Sequence, residues 1–126
     1  MKIAFTASAS ELNAEMDSRF GRCCNFLIYD LEENDYQVYK NEQAQTAGGA
    51  GVSSAQFLDE KGVDAVVSGR FGPRAVRALN TAGITIYSGA EGTVLEALED
   101  YRAGKLKKTE EATARRHRGR KGLKEE

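Results

Sequence analysis

Two adjacent thiols and a set of arginines are the residues of this 126-residue chain best suited to chemistry. Cys23 and Cys24 close the run Arg19-Phe20-Gly21-Arg22-Cys23-Cys24. A thiolate is a soft metal ligand, and a guanidinium is a permanent cation suited to anions. Successive side chains of an extended chain point to opposite sides, so the two thiols would not chelate one ion together. With no histidine before His117, they also cannot complete the four-ligand set of a structural zinc. A metal held here would have to bring most of its ligands with it. That describes a preassembled cluster, anchored by one thiolate and surrounded by arginines and amides. The competing expectation is that one cysteine packs in the core and the other is inert.

Three glycine-bearing stretches accompany these residues: Gly48-Gly49-Ala50-Gly51, Ser68-Gly69-Arg70-Phe71-Gly72 and Ser88-Gly89-Ala90-Glu91-Gly92. None matches a nucleotide signature. The first lacks the Lys-Ser/Thr of a P-loop, and none is a G-x-G-x-x-G after the first strand. Catalysis is not signalled either. His117 lies in a basic terminal run, and Asp17, Asp30 and Asp64 are scattered without metal-pair spacing. No general acid–base pair is visible, so the chain is expected not to be an enzyme.

These residues need a scaffold, and the apolar pattern supplies one. Lys2 to Thr6, Asn25 to Leu31, Asp35 to Lys40, Val63 to Val67 and Ile84 to Tyr87 read as five strands. The second and third are close enough for a hairpin. A helix is expected over about 52–61, ended by Gly62. A second starts at Pro73 and closes at Gly83, and a third starts at Thr93, with Glu96 at capping-box spacing, and ends at Gly104. The order β-β-β-α-β-α-β-α predicts an α/β fold with a five-stranded mixed sheet of order 3-2-1-4-5, strand 2 antiparallel, and helices on both faces. Segments 7–24, 41–51, 68–72 and 88–92 then gather at one sheet edge. Open α/β sheets bind ligands at that edge. Helix N-termini and arginines there favour an anion.

The totals restrict the classes further. The length suits one domain, 40% hydrophobic and 29% charged residues are ordinary for a globular protein, and no apolar run is long enough to cross a membrane. No signal peptide is evident and the free thiols suit a reducing compartment, so a cytoplasmic location is expected. Charge is asymmetric. Residues 107–126 carry eight Lys/Arg and four Asp/Glu, while residues 1–106 are net acidic. The expected organisation is a binding domain over 1–106 and a disordered basic tail over 107–126. Nucleic acid would be contacted only through that tail, which has no interleaved aromatics for base stacking.

Arg19-Phe20-Gly21-Arg22-Cys23 before a strand, Ala47-Gly48-Gly49-Ala50-Gly51 before a helix, and the run from Lys61 through Gly69-Arg70-Phe71-Gly72-Pro73-Arg74-Ala75 together resemble the dinitrogenase iron–molybdenum cofactor-binding family. Ala82-Gly83-Ile84 and Gly92-Thr93-Val94 extend the resemblance over about residues 1–106. It implies a ribonuclease H-like three-layer fold. It also implies non-covalent handling of an iron–molybdenum or related metal–sulfur cluster, as a carrier or chaperone that serves a cofactor-building or cofactor-receiving protein. By position, Arg19, Phe20, Gly21, Arg22 and Cys23 would line the cofactor site, with Cys23 as the metal contact. Gly48, Gly49 and Gly51, and Gly69, Arg70 and Gly72, would complete it. Cys24 stands where the family often has proline, and the body lacks the histidine that some carriers offer, which favours a weaker or different cluster. A nucleotide- or phosphate-binding regulatory module is the alternative reading of the same loops.

Overall fold

The computed structural model describes residues 1–42 and 49–109. Strand β1 (Lys2–Ala7) pairs antiparallel with β2 (Asn25–Asp30), which pairs antiparallel with β3 (Asp35–Lys40). Helix α1 (Ala50–Glu60) leads to β4 (Ala65–Val67), parallel to β1. Helix α2 (Pro73–Thr81) leads to β5 (Thr85–Ser88), parallel to β4. Helix α3 (Val94–Arg102) is followed by β6 (Lys107–Thr109), antiparallel to β5. The sheet order is β3-β2-β1-β4-β5-β6.

The expected order 3-2-1-4-5 is present, but the sheet has six strands rather than five. The sixth uses residues assigned above to the tail. Ser88, Tyr87 and Ile86 sit opposite Lys107, Lys108 and Thr109, so the outer edge of β5 finds hydrogen-bonding partners. The folded domain therefore runs at least to residue 109. The expected disorder of the remaining tail lies outside the described residues.

Alternation along each strand sends side chains to two separate cores. On one face Ala4, Phe26, Ile28, Val66 and Ile86 pack with Ala55 and Leu58 of α1 and Ala75, Val76 and Leu79 of α2. On the other Ile3, Phe5, Leu27, Ala65 and Val67 pack with Val94, Ala97 and Leu98 of α3. This gives three layers, α1 and α2 over the sheet and α3 beneath it. The three-residue β4 reads as an unbroken apolar run because both its faces are covered. Among the described residues no helix is long and apolar enough to cross a membrane.

Helix α3 starts as the sequence predicts. Thr93 Oγ1 accepts from the Glu96 N–H at 3.1 Å, and Glu96 Oε1 accepts from the Thr93 N–H at 2.9 Å. The next two N–H groups, of Val94 and Leu95, donate to the carbonyls of Ala14 and Leu12 at 2.9 Å each. The start of α3 is thus closed by its own cap and by the first connection. Thr93→Ala is expected to lower stability by about 1 kcal/mol in urea unfolding with an unchanged slope, since it removes one cap.

Candidate functional site

The first connection is fastened across the sheet edge by buried hydroxyls. Thr6 and Ser68, at the ends of β1 and β4, are both fully buried. The Thr6 hydroxyl donates to the Asp17 carbonyl at 2.7 Å, and the two hydroxyl oxygens lie 2.8 Å apart. Beyond them the chain pairs with the 68–72 loop. Phe20 N–H donates to Arg70 O at 3.0 Å and Arg70 N–H donates to Ser18 O at 2.7 Å. A Cβ on Gly69 would stand 2.8 Å from that Ser18 oxygen, so only glycine permits this pairing. Phe20 and Phe71 turn inward and stack with ring centroids 5.1 Å apart. Phe20 therefore anchors the loop in the core, leaving Arg19, Arg22 and Arg70 exposed at the rim.

Two further glycines join the loops to the helices. Gly21 adopts φ +94°, and a Cβ there would meet Gly51 Cα at 2.9 Å. A Cβ on Gly51 would meet Ala75 Cβ at 2.9 Å. Gly51 is also the second residue of α1, which begins two residues earlier than the expected 52. These glycines are needed for packing: they bring the starts of α1 and α2 together beside the 19–24 segment.

Gly49 and Gly72 are different. They are the N-caps of α1 and α2, and an added Cβ at either would meet nothing within 4 Å. Gly72 has φ −78°, which any residue adopts. Neither helix has a side-chain cap or an acidic residue in its first turn. Helix starts carry partial positive charge and unpaired N–H groups, normally satisfied by Ser, Thr, Asp or Asn. Of the three helices that start at this edge, α3 is closed and α1 and α2 are left without side-chain caps. Exposed Arg70 and Arg74 flank the start of α2. Gly48 lies outside the described residues.

The two cysteines divide as the alternation of an extended chain requires. Cys23 points inward and is fully buried in the cluster that holds Phe20, Phe26 and Phe71. Cys24 is exposed. The buried Asn41 holds this segment. Its amide donates at 3.0 Å to both Gly21 O and Cys23 O, lies 3.7 Å from Cys23 Sγ, and its backbone N–H donates to Cys24 O at 2.9 Å. Burial, and next the Asp17 carboxylate, push the Cys23 thiol from an ordinary 9.0 up to about 12. A buried thiol of that acidity is protonated at neutral pH. Cys23, the metal contact implied by the family resemblance, thus has its thiol in the core, and the thiol at the surface is that of Cys24. Asn41 carries no motif that would single it out, since an asparagine just after a strand reads as a turn residue. Among the described residues no three His, Cys, Asp or Glu side chains converge to hold a metal ion.

Alkylation in the native state at pH 8 should therefore label Cys24 alone, with the second thiol reacting only in denaturant. The same burial fixes a pH dependence. The unfolded chain loses the Cys23 proton near 9.0 while the folded chain keeps it to about 12. Stability should be intact below pH 9 and fall by roughly 1.4 kcal/mol per pH unit above it, until the folded thiol also ionises. Cys23→Ala should remove that component from the alkaline unfolding profile.

Comparison with known proteins gives consistent relatives. The family described as dinitrogenase iron-molybdenum cofactor matches residues 1–104. The apo orange protein from Desulfovibrio gigas superposes with a TM-score of 0.86 at 30% identity, over 89% of this chain and 95% of that one. A Thermotoga structure described as a candidate NifB protein gives a TM-score of 0.76 at 30% identity, over 93% and 97% of the two chains. An uncharacterized protein of Methanocaldococcus jannaschii is 28% identical over 113 residues, 87% of this chain and 92% of the relative.

Proposed function

The chain belongs to the dinitrogenase iron-molybdenum cofactor family, and on that premise we propose that it carries a preassembled anionic metal–sulfur cofactor at the paired starts of α1 and α2. The observation behind this reading is the pair of helix N-termini without side-chain caps, which Gly51 allows to lie against one another while Gly21 brings the 19–24 segment against the start of α1. Anions are held at such termini by aligned N–H groups and the helix dipole. Arg19, Arg22, Arg70 and Arg74 add positive charge at the rim, and Cys24 adds one exposed soft donor. The described residues hold no ligand set for a bare ion. The cargo would arrive with its own sulfides. The chain's task is to bind and orient it, then release it to the protein that builds or uses it. This is carriage rather than catalysis. The two free thiols suit the reducing cytoplasm. The core strand order supports reading the fold as ribonuclease H-like, as the family resemblance implies.

A phosphate or nucleotide would use the same amides and arginines but would need no thiol. The two readings separate on Cys24. Anaerobic incubation with iron, molybdate and sulfide, followed by desalting and metal analysis, should leave molybdenum and sulfide on the wild-type protein. It should leave less on Cys24→Ala. Calorimetry with nucleotides should show no saturable micromolar binding.

Gly72→Asp is the sharper variant. The position has room and an ordinary φ, so an aspartate would cap α2 and raise stability by a few tenths of a kcal/mol or more. It would also place a carboxylate where the anion sits, and retention of the cluster should be lost. A stable Gly72→Asp protein that still retains metal and sulfide would contradict the proposed location.

A further inference from the structure

The sheet ends at β3, and among the described residues no strand continues it. Its other edge, β6, is three residues long and carries two lysines, a common way of blocking an edge. Strand β3 is six residues long and has no proline. Its register with β2 is unbroken, from Lys40 opposite Asn25 to Asp35 opposite Asp30. The Asn41 N–H donates to Cys24 O, so the pairs of that parity, Tyr39 with Phe26 and Gln37 with Ile28, are the hydrogen-bonded ones. The N–H and C=O groups of Tyr36, Val38 and Lys40 therefore point away from the sheet. Asp35 Oδ1 accepts from the Tyr36 N–H at 2.8 Å, an exposed bond that the carbonyl of a new strand can replace.

The charges along this edge are unbalanced. Lys2 lies opposite Asp30, and Asp30 lies opposite Asp35, so one face of the sheet carries a cation and then two carboxylates in a row. Like charges directly opposite one another are unfavourable. Glu33 lines the same recess. Lys61, at the end of α1, is on this face but further along the strand, its ammonium 4.6 Å from the centre of the Tyr39 ring. Among the described residues neither Asp35 nor Lys61 is in an ion pair.

A second β3 laid antiparallel along the edge corrects the imbalance. One twofold register sets Gln37 opposite the partner's Gln37. Asp35 then lies opposite the partner's Tyr39 and beside the partner's Lys61, and the same contact recurs across the axis. On the other face Tyr36 meets the partner's Val38, both already half-buried. The outward backbone groups of these two residues pair with each other. Moving the partner by two residues sets Val38 against itself and takes Lys61 away from Asp35.

We infer that the outer edge of β3 is the contact for a second copy of this chain, joined in that register into one continuous sheet. An unrelated extended peptide would use the same backbone groups but would lack the two-way match of Asp35 with Lys61. A single strand pair belongs with the small, transient interfaces of under roughly 1,200 Å², so the dimer is weak and concentration-dependent. The two α1–α2 edges open at opposite ends of the joined sheet, and the contact does not depend on cofactor binding there.

Sedimentation equilibrium of the full chain, from micromolar to millimolar concentration, should show a reversible passage from monomer to dimer. Asp35→Lys or Lys61→Glu should each weaken the dimer by about tenfold, because both cross-pairs turn from attraction to repulsion. The double variant should restore it. Air oxidation in a Cys24→Ser background reads the register. Gln37→Cys should form a disulfide-linked dimer, since the Cα atoms of a non-hydrogen-bonded pair lie about 4.5 Å apart, within disulfide reach. Val38→Cys should not. A chain still monomeric at millimolar concentration, a dimer indifferent to both charge reversals, or cross-linking at 38 as readily as at 37 would overturn the proposal.

Discussion

No side chain fits between Gly21 and the start of α1, or between Gly51 and Ala75, and the glycine-lined edge is built on that exclusion. If either glycine gained a Cβ, backbone or helix would have to shift by several tenths of an ångström or more. Close approach here has a consequence beyond packing density. It sets two helix starts side by side, both without side-chain caps, next to the loop that carries the arginines and Cys24. Gly69 does the same for the neighbouring loop by letting Arg70 pair with Ser18. The arginines around the edge are thus displayed from backbone that is pinned, although their side chains are in water.

Electrostatics then decides which parts of that edge can receive an anion. The start of α3 is closed by Thr93, Glu96 and the carbonyls of Ala14 and Leu12. A negative group would find its donors already used and a carboxylate in the way. Among the described residues, the starts of α1 and α2 have no side-chain cap and no acidic residue in the first turn. The Asp17 side chain, two residues before Arg19, is turned back on its own loop, accepting from the Arg19 N–H at 3.1 Å. Its contact with the Arg19 guanidinium is long, at 3.8 Å, and the guanidinium is exposed, so the pair contributes little to stability.

Much of this was legible in the sequence, and the parts that were not have physical reasons. The hairpin, the two β-α units and the capping box at Thr93 follow from apolar spacing and turn chemistry, and so does the order of five strands. The sixth strand was hidden because Lys107-Lys108-Thr109 has no apolar alternation: it pairs through backbone and buries almost nothing. Side-chain alternation showed that Cys23 and Cys24 must face opposite ways, but not which would be inside. That is settled by Asn41, whose amide clamps the carbonyls of Gly21 and Cys23. Glycines read as ligand-contacting also have to be sorted. Gly21, Gly51 and Gly69 have steric reasons within the fold, whereas Gly72 has none, and only a structure tells these apart.

The central claim is that the anion sits between the starts of α1 and α2. Titrating uniformly nitrogen-15-labelled protein with a thiomolybdate anion, under argon, reads that position amide by amide. Saturable shifts should concentrate at Ala50, Gly51, Arg74 and Ala75, with Val94 to Glu96 unmoved. Shifts centred on α3, or none at millimolar anion, would contradict it.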